Sequence, residues 1–144
     1  MAHKTVSIVQ EFPQPLSAVF AYLSNHDNLG SVFGAPVKRI KAGSDPSEPN
    51  GVGSVRRLET AVISIEETVT AFEKDRLIEY RITKGGFMKH HLGTMRFSAS
   101  GSGTRLDYTI EIESAIPLFT GPLAKALDSG IRRGLQKLSQ SQFG

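Results

Sequence analysis

The chain has 144 residues, 39% apolar and 22% charged, with a net charge of +3 and no cysteine. Its length fits one domain over residues 1–144 with a sizeable core, and the lack of cysteine excludes disulfides, Cys-ligated zinc and thiol catalysis. The cations are scattered among acids in short pairs such as Arg56-Arg57 and Arg132-Arg133, without the basic face and stacking aromatics of a nucleic-acid binder, so no nucleic-acid partner is expected.

The opening MAHKTVSIVQEF has no cationic region followed by an apolar run, so no secretory leader is read there. No apolar stretch approaches the roughly 20 residues that span a bilayer. A cytoplasmic protein without stable membrane insertion is the expectation.

In chain order, TVSIVQEF reads as a strand from its β-branched content. After Pro13 and Pro15, Leu16, Val19, Phe20 and Leu23 fall at helical spacing. The Asn25-His26-Asp27-Asn28 cluster interrupts, and Leu29, Val32 and Phe33 predict a second short helix or a turn. APVKRIKAG is a short strand, and SDPSEPNGVG is a loop by its proline, glycine and polar content. GSVRRLE, AVISIEETVTAF, RLIEYRI, FMKHHLGTMRFSAS and TRLDYTIEIES then predict strands in succession, joined by the turn-rich EKD, TKGG and SGSG. The closing segment repeats Leu123, Leu127, Ile131, Leu135 and Leu138 every three or four residues, the mark of a long amphipathic helix. Gly130 and Gly134 inside it point to close approach to the sheet, or Gly130 to a kink. Strands in sequence with segregated helices give an α+β domain, a curved antiparallel sheet over a long helix with a cavity between them.

Side chains alternate across a strand, so the apolar parity marks the inner face. It selects Ile63, Ile65, Val69 and Ala71, then Ile78, Tyr80 and Ile82, then Leu106, Tyr108, Ile110 and Ile112. In FMKHHLGTMRFSAS it puts His91, Gly93, Met95 and Phe97 inside and His90 outside. Adjacent strand histidines cannot converge on one ion, and His3 and His26 show no HExxH or i, i+4 spacing, so no metal is expected. Glu67 shares the inner parity, and burying its carboxylate is costly unless it is paired. His91 and Arg57 are the candidate partners. Glu67 with His91 reads either as a general acid–base pair or as a satisfied polar pair that is structural or orients a ligand. Tyr80 and Tyr108 either donate to a ligand or cap the core.

The stretches EFPQPLSAVFAYLSNHDN, GVGSVRRL, HHLGTMRF and GSGTRLDYTIEIE, with the closing helix, resemble the START-like SRPBCC superfamily, in its polyketide cyclase/dehydrase and lipid-transport branch. The resemblance spans nearly the whole chain. It implies a helix-grip fold: about seven strands around the long C-terminal helix, two short helices at one end, and a deep apolar cavity. It implies no shared catalytic set and no cofactor.

The partner expected is therefore a hydrophobic small molecule such as a lipid, quinone, polyketide or other aromatic, carried in the cavity. The alternative is a cofactor-independent cyclase or dehydratase that works through Glu67 and His91. Residues expected to line the ligand are Arg57, Ile65, Tyr80, Met95, Phe97, Tyr108, Leu127 and Ile131. The edges of an open sheet also admit a homodimer.

Overall fold

A computed structural model describes residues 3–60 and 63–143. The elements run β1 (His3–Phe12), α1 (Leu16–Ser24), a 3-10 turn (His26–Asn28), α2 (Gly30–Phe33), β2 (Val37–Lys41), β3 (Val55–Glu59), β4 (Ser64–Glu73), β5 (Leu77–Lys84), β6 (Met88–Ser100), β7 (Gly103–Ser114) and α3 (Pro117–Ser139). Ala61 and Val62, the start of the stretch read as the fourth strand, lie outside the described residues.

Local chemistry explains the boundaries. Pro15 caps α1, whose inner stripe Val19, Phe20 and Leu23 is buried. Gly34 ends α2 in the left-handed region at φ 74°, a conformation that costs glycine nothing. Pro117 opens α3, where its missing N–H is no loss.

All seven strands form one antiparallel sheet in the order β1-β7-β6-β5-β4-β3-β2, so the ends of the sheet are β1 and β2. The helices cover one face. Ile131, Leu135 and Leu138 of α3 join Val6, Ile8, Phe20, Met95, Phe97, Leu106 and Tyr108 in a buried cluster. This is the expected α+β helix-grip arrangement.

Three details depart from the sequence reading or refine it. A register shift between Val69 and Ala71 flips the parity of β4, so that Phe72 rather than Ala71 packs on the core, edge to face with Phe20 at 5.3 Å. Gly93 makes room for a side chain of the protein and not for a ligand. It lies opposite Tyr80, and any Cβ there would overlap the tyrosine ring. Gly134 permits close approach to α2 rather than to the sheet, since a Cβ would stand 2.6 Å from the Val32 carbonyl oxygen. Gly130 meets nothing within 4 Å, so packing does not explain it.

Candidate functional site

Between the inner face of β3–β6 and the first half of α3 lies a cavity of about 280 Å³. Ile63, Ile65 and Ile82 form its sheet wall, Leu123, Leu127 and Ile131 its helix wall, and Phe87 stands at its edge. Of the polar residues in the lining, Thr60 bonds the Ile63 backbone through its hydroxyl, and Glu67, Tyr80 and His91 reach the wall together.

Behind that polar edge is a buried network. Arg56 on β3 is the register partner of Glu67 on β4, and its Nε donates to Glu67 Oε1 at 2.8 Å. Both are nearly sealed from water, at 2% and 5% exposure. Arg56 also lies over the Tyr80 ring at 4.2 Å and the Phe33 ring at 5.3 Å. Burial opposes its charge, but the Glu67 carboxylate beside it holds the guanidinium pKa above its ordinary value. Its Nη2 has no hydrogen-bond partner among the described residues.

Two histidines touch this network in fixed tautomers. Arg56 Nη1 is 3.2 Å from His26 Nδ1, and a guanidinium only donates, so Nδ1 accepts. His26 Nε2–H then donates to Ser54 Oγ at 2.8 Å. Burial, with Arg56 adding to it, lowers the His26 pKa to about 3, so the ring is neutral at physiological pH. His91 Nδ1 accepts the Ile82 backbone N–H at 3.0 Å. Its pKa is lowered as well, chiefly by burial, which outweighs the attraction of Glu67. The proton of the neutral ring therefore sits on Nε2, 3.6 Å from Glu67 Oε2. That gap is too long for a direct hydrogen bond. At the cavity wall, Glu67 Oε2 is left as an acceptor and His91 Nε2–H as a donor.

The hydroxyls of Tyr80 and Tyr108 hydrogen-bond to each other. Burial raises both phenol pKa values, so both stay protonated.

Of the residues singled out from sequence, Glu67, His91, Ile65, Tyr80, Leu127 and Ile131 reach the cavity lining. Met95, Phe97 and Tyr108 face inward as expected but are packed in the core and are not part of that lining. Arg57 is a correction. It points to the outer face and pairs with Glu66 at 3.1 Å, because alternation gives the inner position to Arg56. Sequence reasoning missed Arg56, His26 and Ser54. Leu58 shares the parity of Arg56 and was the available signal, whereas nothing local marks His26, which the chain brings to Arg56 from 30 residues away.

On the outer face, His90 does more than meet solvent. It bonds Glu111 at 3.0 Å and meets the His3 ring edge to face at 5.3 Å. Donor atoms of His3, His90 and Glu111 lie within 4.8 Å of one another, the kind of nitrogen and oxygen set that a zinc-class ion accepts. This group belongs to the opposite face of the sheet from the cavity.

The structure is similar to three solved proteins. An aromatase/cyclase from a Streptomyces species superposes with a TM-score of 0.74 at 15% identity, covering 96% of this chain and 94% of that one. Ara h 8.0201 gives 0.69 at 13% identity over 97% and 99% of the two chains. The XoxI protein of Bacillus cereus gives 0.69 at 16% identity over 98% and 97%. At these identities the likeness establishes the fold. No curated protein matches the sequence. The family model described as polyketide cyclase/dehydrase and lipid transport matches residues 3–141, and the chain belongs to that family.

Proposed function

We propose that this family member carries an apolar small molecule bearing a single hydroxyl or phenol, held between Glu67 Oε2 and His91 Nε2–H. The observation that supports it is a mostly apolar cavity on whose wall an acceptor and a donor stand 3.6 Å apart. A ligand hydroxyl seated there donates to the carboxylate and accepts from the imidazole, satisfying two groups that do not satisfy each other. The apolar walls supply affinity, and the polar pair supplies orientation. A volume of about 280 Å³ suits a small aromatic or part of a longer chain.

The acid–base alternative asks more of His91. Its Nδ1 lone pair is taken by the Ile82 amide, and its Nε2 already bears the proton. Acting as a base requires breaking a backbone hydrogen bond. Glu67 remains the available base, with Oε1 held by Arg56, which favours retention of a ligand over its turnover.

The test compares 2-naphthol with 2-methoxynaphthalene by fluorescence titration. The phenol binds at least about tenfold tighter, because its methyl ether leaves the Glu67 acceptor unpaired. Equal affinities would remove the hydroxyl from the proposal, and absence of binding by either would remove the cavity reading.

A further inference from the structure

Among the described residues, Val9, Ile40 and Val52 are large apolar side chains left singly in water, and four others gather beside the cavity mouth. Leu118 is 86% exposed, with Phe119 at 52%, Phe87 at 47% and Ile116 at 45%. The two segments carrying them are joined by the Ala115 N–H to Phe87 carbonyl bond at 2.7 Å. Phe87 lines the cavity, as does Leu123, one turn further along α3. The patch is held in place. Ser114 N–H donates to the buried Thr120 Oγ1 at 3.0 Å, and Ile116 N–H donates to Ser114 Oγ at 3.1 Å. A fixed apolar cluster of this kind marks an interaction surface.

The charge around it is mainly positive. Residues 80–106 and 114–127 contain no Asp or Glu. A polar groove lined by Arg81, Lys84 and Lys89 adjoins the mouth and shares Met88 and His91 with the cavity wall. These three cations and Lys125 of α3 are exposed, and none pairs with a carboxylate among the described residues. Of the nearby acids, Glu66, opposite Lys84, holds Arg57 at 3.1 Å and Glu111 holds His90 at 3.0 Å, while Glu113, opposite His90, forms no ion pair among the described residues.

We infer that this face docks on an anionic phospholipid bilayer. Leu118 and Phe119 enter the headgroup boundary, Arg81, Lys84 and Lys89 meet lipid phosphates, and the cavity mouth opens onto the membrane. Apolar anchors ringed by basic residues suit an anionic interface. A second copy of the chain brings the same unpaired cations face to face, and a nucleic acid offers nothing to Leu118. The inference rests on the cavity being a site for an apolar molecule, since that is what makes a mouth facing lipid useful.

The experiment is co-sedimentation with vesicles of phosphatidylcholine alone or with about a third phosphatidylserine. Wild type sediments with the mixed vesicles and is released by salt. L118E/F119E lowers that partition at least about tenfold. K84E/K89E lowers it by several-fold per charge on mixed vesicles, and leaves the weak phosphatidylcholine partition unchanged. The I65F variant, whose cavity is filled, still sediments, which separates docking from ligand binding. Binding that survives L118E/F119E is electrostatic adsorption only and overturns the inference. So does a dimer that L118E/F119E dissociates in a chain that ignores vesicles. In either case 2-naphthol binding is judged by its own titration.

Discussion

On the β6–β7 side of the interior, Met95, Phe97, Leu106 and Tyr108 lie in one packed cluster with Phe20 and Leu135. On the β4 side, Ile63 and Ile65 face Leu123 and Leu127 across open space. Both regions use inward aliphatic and aromatic side chains on one sheet face, so hydrophobicity does not separate them. Cover does. The first lies under α1 and the second half of α3. Over the second, α3 is pinned at Thr120 by Ser114 and at Gly134 by the backbone of α2, and spans the gap between. The buried Arg56–Glu67 pair stands at the polar edge of the hollow, so it must be satisfied with little help from water.

Removing the carboxylate is the most severe disturbance of that edge. Glu67→Ala leaves Arg56 charged and buried alone and is expected to cost about 3–5 kcal/mol in urea unfolding. The double change Glu67→Leu with Arg56→Met recovers most of it. A loss below about 1 kcal/mol for the single variant contradicts the pairing.

Truncations then contrast the two regions directly. Leu135→Ala opens a void in the packed side and costs about 2–5 kcal/mol. Leu127→Ala, facing space that already exists, costs less than half as much. Enlargement gives the converse. Leu106→Phe overpacks and costs about 1–3 kcal/mol, while Ile65→Phe costs under about 1 kcal/mol and abolishes 2-naphthol binding. Equal costs in either comparison would deny that one region is hollow.

Acid distinguishes the regions through His26. Its folded pKa of about 3 lies below the ordinary 6.5, so the unfolded chain takes up the proton first as the pH falls. Stability is whole above pH 6.5 and declines toward pH 3, with a slope of up to about 1.4 kcal/mol per pH unit from this group. His91, lowered in the same direction, adds to the decline. His26→Gln flattens the measured profile, and an unchanged slope places the titration elsewhere. The smallest effect belongs to Arg57→Ala, which breaks a half-exposed pair on the outer face. It shifts stability by less than about 1 kcal/mol and leaves 2-naphthol affinity unaltered.

Much of this was legible from periodicity. The helical spacing in α1 and α3 and the two-residue alternation of β5, β6 and β7 are direct consequences of one buried face per element. The same alternation separates His91 from His90 and places Glu67 inside. It failed where the pattern slips. The irregular register after Val69 moved Phe72 to the core, and in the short, charged β3 only Leu58, against Val55 of the opposite parity, pointed to Arg56 over Arg57.

The sequence by itself determined the element order, the inward faces of β5, β6 and β7 and the presence of a buried acid, because these depend on spacing along a few neighbouring residues. Only the tertiary structure decided which cation meets Glu67, which tautomer each histidine holds and where the interior stays hollow. Those outcomes depend on strand register and on how far α3 is held from the sheet. Such distances are set by contacts between residues remote in the chain, as between His26 and Arg56 or Gly134 and Val32.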